Sequence, residues 1–370
     1  MTNRLILSMV KTVTKLVSLF AFCSVFYALF FCFPLLLEAK VTGACSYCHT
    51  MHSSQTPAPT EWIEKGWTAG TTNPALLVAT CIGCHSSTTA ETILYGNTPI
   101  VYNTAAPTAP LAGGNFFYIT PDDATGHAKG HNVAGIDVVD VTLGSTPPGG
   151  SNLGAQLRCA GTYGCHGHNG RQTGDTAEPD QTKAIRGGHH GNDTPPLEGS
   201  LTNVARNYRF LLGIKGKEDT NWEQDNTNTR HNEYKGTATP PSFSDNTTIS
   251  FLCGECHGDF HSSTGVGSST PWLRHPTDAI LKSTGEYANY KIYSMAAPVA
   301  RPEDNYSGEP FVVRPGTDIV MCFSCHRAHA SPYFKMVRWD YKSWPGSGTD
   351  GCNPSTGKHE CCNVCHTSKN

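Results

Sequence analysis

Residues 45–55 read CSYCHTMHSSQ, in which a C-x-x-C-H motif is followed three residues later by a second histidine. Two cysteines one short turn apart can bond the two vinyl groups on one porphyrin edge, and the next residue then places an imidazole under the iron. The motif occurs five times, as Cys45/Cys48/His49, Cys81/Cys84/His85, Cys253/Cys256/His257, Cys322/Cys325/His326 and Cys362/Cys365/His366. Zinc also takes cysteine and histidine, but it does not require a histidine directly after the second cysteine. The repeated motif therefore predicts at least five covalently attached c-type haems.

An expanded version of the motif predicts a sixth haem. The segment CAGTYGCH (159–166) has five residues between Cys159 and Cys165, and His166 follows directly. The longer loop can bring both sulfurs to one haem edge if it folds back, which Gly161 and Gly164 would allow. A disulfide beside an incidental histidine is the alternative.

The chain has more histidines than the attachment motifs use. Of its 17 histidines, six follow attachment cysteines and eleven remain, which favours two imidazole ligands on every iron. Methionine, which would raise the haem potential, is scarce beyond the N-terminal segment. The candidates for the second, distal ligand are His52, His131, His189, His190, His231, His261, His275 and His329. We expect some of the other spare histidines at the surface, first of all His127, His168 and His359.

His52 and His329 each follow an attachment histidine by three residues. Attachment segments usually form a short helix, on which residues three apart lie on the same side. Because His49 is directed at its own iron, His52 cannot reach the opposite face of that porphyrin. We expect His52 to bind another iron close by, unless it is a solvated side chain on a small helix.

The composition predicts a fold that is mostly irregular coil with short α-helices and little β-structure, organised around a stacked chain of haems. Charged residues make up 15% of the chain, well below the usual quarter or so, whereas Gly (37) and Pro (24) are plentiful. The apolar stretches are too few for an ordinary core, so the haems are expected to supply the buried apolar mass. The net charge of −3 and the absence of basic clusters argue against a nucleic-acid partner.

The N-terminus predicts a secretory leader over residues 1–39 and a hexahaem domain over 40–370. Basic residues precede an apolar run at about 16–37, and Leu37-Glu38-Ala39 resembles a small-residue cleavage site. An uncleaved anchor is geometrically possible at that length. Cleavage would leave no permanent membrane span and a secreted chain, extracellular or at the outer cell surface, with the periplasm as the alternative.

Two cysteines beyond the leader belong to no attachment motif. Cys352 and Cys361 could form a disulfide in an oxidising compartment, which would close a small loop beside the last haem. Alternatively, Cys361 is a free thiol next to Cys362.

Several segments resemble the multihaem c-type cytochromes of metal-reducing bacteria. The resemblance covers nearly all of the chain after the leader and is carried by CSYCHTMHSSQ, GHNVAG, LRCAGTYGCHG, GGHHG, YRFLLGIKGKED, HNEYKG, CGECHGDFHSSTG, WLRHPTD, APVARP and CFSCHRAHASPYF. The opening CHTMH is similar to that of the members of this family that form extracellular filaments. The resemblance implies a homopolymer in which His52 ligates a haem of the adjacent subunit.

The expected function is long-range electron transfer without catalysis, toward other redox proteins or extracellular electron acceptors. A soluble monomeric electron carrier in the periplasm is the second hypothesis. A multihaem reductase is the third. It would need an open iron, often with lysine in place of the attachment histidine, and the chain contains no C-x-x-C-K motif.

Overall fold

The computed structural model describes most of the chain from residue 44 onward. The described residues are 15, 44–49, 76–77, 80–94, 98–120, 122–190, 199–225, 227–238, 245–262, 274–302, 306, 308–342 and 362–366. The chain divides into two compact units, Met1–Glu38 and Ala39–Asn370. Among the described residues, no helix is both long enough and apolar enough to cross a bilayer.

The helices in the described ranges are all short. The α-helices are α1 Cys81–His85, α2 Ala124–His127, α3 Gln181–Ala184, α4 Ile249–Gly254, α5 Asp259–Ser262 and α6 Cys362–Cys365. Single 3-10 turns cover Cys45–Tyr47, Phe116–Ile119, Val204–Arg206, Tyr208–Phe210, Gly285–Tyr287, Cys322–Ser324 and Phe334–Met336. Side chains cap some of them: Asp123 accepts from Thr125 N and Gly126 N at the start of α2. This predominance of turns and loops confirms the predicted fold class.

Each strict C-x-x-C-H motif forms one helical turn. The backbone N–H of the motif histidine donates to the carbonyl of the first cysteine, at 2.8 Å for His49 and 3.0 Å for His257, His326 and His366. The remaining motif, Cys81–His85, is α1 itself. This turn places the two sulfurs and the imidazole on neighbouring positions of one short helix, which is the arrangement that attachment to one haem needs.

The strands pair two by two. They are β1 Ser86–Ser87, β2 Ile93–Leu94, β3 Thr98–Pro99, β4 Tyr102–Asn103, β5 Arg158–Ala160, β6 Gly164–His166, β7 Gly216–Lys217, β8 Glu233–Tyr234, β9 Ala279–Ile280 and β10 Ile319–Val320. The pairs β1–β4 and β5–β6 are parallel, and β2–β3, β7–β8 and β9–β10 are antiparallel. No pair extends into a larger sheet within the described ranges.

The expanded motif folds back on itself through β5 and β6. Arg158 lies opposite Gly164 and Ala160 opposite His166, so the residues between Cys159 and Cys165 form a tight loop. Gly161 has a φ of 78°, and a Cβ there would collide with the carbonyl oxygen of Glu178. A Cβ at Gly164 would collide with the backbone of Ala160. Both glycines are therefore required by the fold of this loop, as the sequence predicts.

Buried apolar side chains form several small clusters instead of one core. The largest includes Tyr208, Ile214, Tyr234, Ile249 and Ile319 and is bordered by Cys165 and Cys253. The other clusters are likewise bordered by attachment cysteines: Cys159 in one, Cys365 in another, and Cys325 and Cys362 around Trp339. The apolar interior is therefore divided among the attachment motifs.

Candidate haem sites

Five attachment histidines face a second histidine from a remote part of the chain. The ring centres are separated by 5.9 Å for His49–His190, 6.2 Å for His85–His189, 6.3 Å for His166–His329, 6.2 Å for His257–His131 and 6.4 Å for His326–His275. Two imidazoles that bind one metal ion from opposite sides, each by a bond of about 2 Å, hold their ring centres about 6 Å apart. The five separations fit two imidazole ligands on one iron.

The second histidines of these pairs are five of the candidates that the sequence identifies. The adjacent residues His189 and His190 serve two different motifs, because one faces His85 and the other faces His49. His329 follows the attachment histidine His326 by three residues and faces His166 instead. A histidine three residues after an attachment histidine thus faces a different motif and not its own, as the geometry of the short helix predicts.

In five of the ten paired histidines, the second ring nitrogen is held by a backbone carbonyl. Nδ1 lies 2.8 Å from Pro99 O in His85, 2.8 Å from Arg209 O in His166, 2.7 Å from Pro148 O in His257, 2.9 Å from Lys335 O in His326 and 2.7 Å from Ala328 O in His131. A carbonyl only accepts, so Nδ1 carries the proton and the Nε2 lone pair is left for a metal. Sequence reasoning missed these partners, since any residue can supply a carbonyl.

Two of these carbonyls, those of Arg209 and Lys335, come from separate backbone turns of the same unusual kind. Arg209 and Phe210 have φ values of 47° and 58°, and Lys335 and Met336 have 63° and 60°. In both turns the second carbonyl accepts from the backbone N–H that follows the attachment histidine: Gly167 N to Phe210 O at 2.8 Å and Arg327 N to Met336 O at 2.9 Å. Two successive left-handed residues thus orient two carbonyls toward one attachment histidine.

Burial favours the neutral form of six of the ten paired imidazoles. It lowers the pKa of His85, His166, His257 and His326, and it lowers the pKa of His131 to about 4 and that of His329 to about 3. The neutral imidazole is the form that binds metals. The protonation state therefore agrees with the ring spacing.

All twelve motif cysteines are free thiols, including Cys159 and Cys165. The structure thus contains no disulfide in the expanded motif, which was the alternative interpretation of this segment. Cys165 directly precedes His166, as in the strict motifs, and Ala160, the neighbour of Cys159, lies opposite His166.

Cysteines of successive motifs lie beside each other. Thiols are in hydrogen-bond contact in the pairs Cys48–Cys84, Cys81–Cys159 and Cys253–Cys322. Two further pairs of thiols are close to each other. Burial raises the pKa of Cys165, and the nearby Cys256 raises it further. In the same way, burial and the nearby Cys362 raise the pKa of Cys325. The six motifs therefore follow one another in space in the order in which they occur in the sequence.

His366, the last attachment histidine, has a carboxylate beside it. Its Nδ1 lies 3.2 Å from Glu286 Oε2, and its ring centre lies 5.2 Å from that of Tyr287. A carboxylate makes an imidazole a more basic ligand than a carbonyl does.

Two distal-ligand candidates, His231 and His261, are placed away from the attachment histidines. His231 stacks on Tyr293 with 3.7 Å between ring centres, and its Nδ1 and Nε2 lie 2.7 Å and 3.0 Å from Asn232 O and Pro310 O. His261 contacts Asp278 and Cys322. The sequence predicts both as distal ligands, but the structure pairs neither with an attachment histidine. Both ring nitrogens of each histidine already contact other groups.

His127 and His168, expected at the surface, are buried at 2% and 7% exposure. His168 Nδ1 lies 2.7 Å from Asp175 Oδ1, and His127 Nε2 lies 3.1 Å from Asp122 Oδ1 and 3.9 Å from Asp137 Oδ2. The N–H of Val141 donates to His127 Nδ1, so Nε2 carries the proton and has no lone pair for a cation. Carboxylate partners explain why these histidines can be buried.

Four residues of interest lie outside the described residues. They are His52, His359, Cys352 and Cys361. Their roles stay predictions from the sequence.

Repeated attachment turns, most of them with a second imidazole opposite the attachment histidine, are typical of multihaem c-type cytochromes. The chain is similar to the C-type cytochrome OmcS of Geobacter sulfurreducens, with 26% identity over 353 residues that cover 80% of this chain and 78% of OmcS. Similar solved structures are an Outer Membrane Cytochrome S filament and the OmcS nanowires, both from Geobacter sulfurreducens and 20% identical, with TM-scores of 0.49 and 0.47. Each covers 90% of this chain and 100% of the solved chain. No family model matches the sequence.

Proposed function

We propose that the chain is a secreted cytochrome that carries six c-type haems and transfers electrons over long distances. The observation that supports this most strongly is the set of five imidazole pairs, in which one ring follows attachment cysteines and the other comes from a remote segment. Bound c-type haems supply reversible one-electron chemistry at iron. The polypeptide attaches these haems, supplies the ligands of their irons and sets the distances between them.

The contacts between cysteines of successive motifs support a continuous chain of closely spaced haems. Cys48 touches Cys84, and Cys253 touches Cys322, so each motif presents a sulfur to the next one along the chain. Residues bound to neighbouring porphyrin edges would thereby hold those edges close together. Close spacing is what electron transfer along the molecule requires.

Electron transfer is favoured over catalysis because imidazoles occupy both sides of five sites. A reductase needs an iron with an open position for its substrate, and the five paired sites leave none. The chain is therefore proposed to be a carrier or conductor, with a multihaem reductase as the alternative. A high-spin signal in the spectrum of the native protein would favour the reductase.

We further propose that the chain polymerises and that His52 binds a haem of the adjacent subunit. His49, three residues before His52 in the sequence, already faces His190, so an iron bound by His49 would take its second ligand from His190. His329, in the same C-x-x-C-H-x-x-H context, serves another motif. CSYCHTMHSSQ resembles the opening of filament-forming cytochromes. This resemblance suggests that His52 likewise serves another motif, and that this motif belongs to the adjacent subunit. A soluble periplasmic monomer is the alternative.

The experiment is to isolate the native protein, measure its intact mass and examine it by electron microscopy. The mass counts the haems, locates the leader cleavage site predicted near residue 39, and shows whether Cys352 and Cys361 are bonded. Six haems, a low-spin spectrum and filaments support the whole proposal. Six haems in a monomer support the periplasmic carrier, and a colourless protein contradicts both.

His52→Ala separates ligation between subunits from a structural role. The variant is expected to keep six haems and to lose filaments, because only the bond between subunits is removed. His127→Gln is the control, since His127 is buried against Asp122 and lies outside the imidazole pairs. Normal filaments in His52→Ala would contradict the proposed bond.

A further inference from the structure

His261 and Asp278 form a buried pair beside one attachment cysteine. His261 Nδ1 lies 3.2 Å from Asp278 Oδ2, and His261 Nε2 lies 3.8 Å from Cys322 Sγ. The two residues are 2% and 7% exposed. Because Cys253 also contacts Cys322, the pair stands at the junction between two successive attachment motifs.

Attachment of a haem changes the proton balance around this histidine. A cysteine thiol has a proton to donate, whereas the thioether formed on attachment has none and only accepts. The carboxylate of Asp278 also only accepts. His261 then stands between two acceptors, and only an imidazolium, protonated at both nitrogens, donates to both of them.

The neighbouring groups are compatible with an imidazolium. While Cys322 is a free thiol, burial lowers the pKa of His261, but the interactions with Asp278 and Cys322 outweigh it and raise the pKa to about 9. Arg274, the other nearby cation, directs its guanidinium to the carbonyls of Phe260, His275 and Thr277 at 2.8–3.0 Å. The Asp278 contact persists when Cys322 becomes a thioether.

The backbone of Asp278 is held in an unfavourable conformation that places its carboxylate. Its φ is 58°, in the left-handed region, and its N–H donates to Val320 O at 2.8 Å. Aspartate tolerates this region better than most residues, and such strain is concentrated at functional sites. The strained backbone supports a specific role for this carboxylate.

We propose, on the basis of the function proposed above, that His261 is a positioning residue that tunes the haem attached through Cys322 and Cys325. It donates an N–H···S hydrogen bond to the Cys322 thioether and holds a positive charge at that edge, oriented by Asp278. A donor and a positive charge beside a porphyrin edge stabilise the reduced state, which carries one more electron. His261 therefore raises the reduction potential of this haem relative to a site without it.

The test is a spectroelectrochemical titration of full-length, haem-loaded variants whose haem count is checked by intact mass. His261→Leu removes the donor and the charge, and it is expected to lower the potential of one haem and leave the other five unchanged. His261→Gln keeps an N–H donor without the charge and is expected to lower the potential less. Asp278→Asn is expected to act in the same direction as His261→Leu. His127→Gln, which alters another buried histidine beside a carboxylate, is expected to titrate like the wild type.

A His261→Leu protein with all its haems and an unchanged titration curve would overturn the proposal. If the His261→Leu variant loses a haem, the test rests on His261→Gln and Asp278→Asn. Titration curves identical to that of the wild type in both variants would also overturn the proposal. Failure of the function itself is a separate result, because it would show as a wild-type protein without haems or without reversible reduction.

Discussion

At the scale of single residues, the partner of the second ring nitrogen distinguishes one haem site from the others. Four attachment histidines donate Nδ1–H to a backbone carbonyl, whereas His366 has the Glu286 carboxylate at 3.2 Å. The carboxylate places a negative charge beside this ligand, and such a charge favours oxidised iron when haem is bound. The site at the end of this chain of haems therefore differs electrostatically from those before it.

Glu286→Gln is expected to raise the reduction potential of one haem. If the carboxylate contributes on the order of 1.4 kcal/mol to the oxidised state, its removal shifts the potential upward by about 60 mV. Redox titration of the loaded protein measures this shift. Glu309→Gln, a change at an exposed glutamate, is the control, and equal curves for the two variants would contradict the assignment.

His131→Ala is expected to open one iron without releasing its haem. His131 faces His257 at 6.2 Å and donates its Nδ1–H to Ala328 O, while the thioether bonds of Cys253 and Cys256 are independent of it. One haem of the six is expected to become high-spin, which EPR spectroscopy detects, with an unchanged haem count by mass. A fully low-spin spectrum would mean that another residue ligates this iron.

At the scale of elements, the fold is built from local turns that aim backbone groups at the ligands. The same turn of two left-handed residues occurs at two motifs, as Arg209–Phe210 and as Lys335–Met336. Left-handed backbone costs roughly 1–2 kcal/mol per non-glycine residue, so these turns persist because the surrounding contacts hold them. No periodicity in the sequence signals them.

Gly161→Ala is expected to disrupt the expanded attachment loop and lower the occupancy of the sixth haem. Alanine adds roughly 1 kcal/mol or more of backbone cost at a φ of 78°, and its Cβ also collides with Glu178 O. Intact mass measures the fraction of protein that carries the full set of haems. Gly144→Ala is a matched control, because Gly144 has a φ of 60° and no atom within 4 Å of an added Cβ. Equal occupancy in the two variants would show that the loop tolerates the collision.

At the scale of the whole molecule, no single apolar core holds the described chain together. Small clusters border the attachment cysteines, and hydrogen-bonded turns connect them. Haem attachment would join these clusters through covalent bonds and through ligands from remote segments, as a metal stabilises a small domain.

The haem-free chain is therefore expected to be unfolded. Protein produced without haem attachment should show no cooperative thermal transition by circular dichroism, whereas the loaded protein should show one. The physical reason is that a shared iron would hold the two histidines of each pair together, and the haem-free chain lacks that bond. A cooperative transition in the haem-free protein would contradict this view of the fold.

The sequence alone predicted the attachment motifs, because the two thiols and the imidazole of each motif are close neighbours in the chain. It also determined the loop-rich class of the fold, through abundant glycine and proline and few charged residues. The tertiary structure decided which histidine faces which motif: His131, His189, His190, His275 and His329 are in the five pairs, and His231 and His261 are not. A distal ligand comes from a remote segment, so its identity depends on how the loops pack, which no local spacing records.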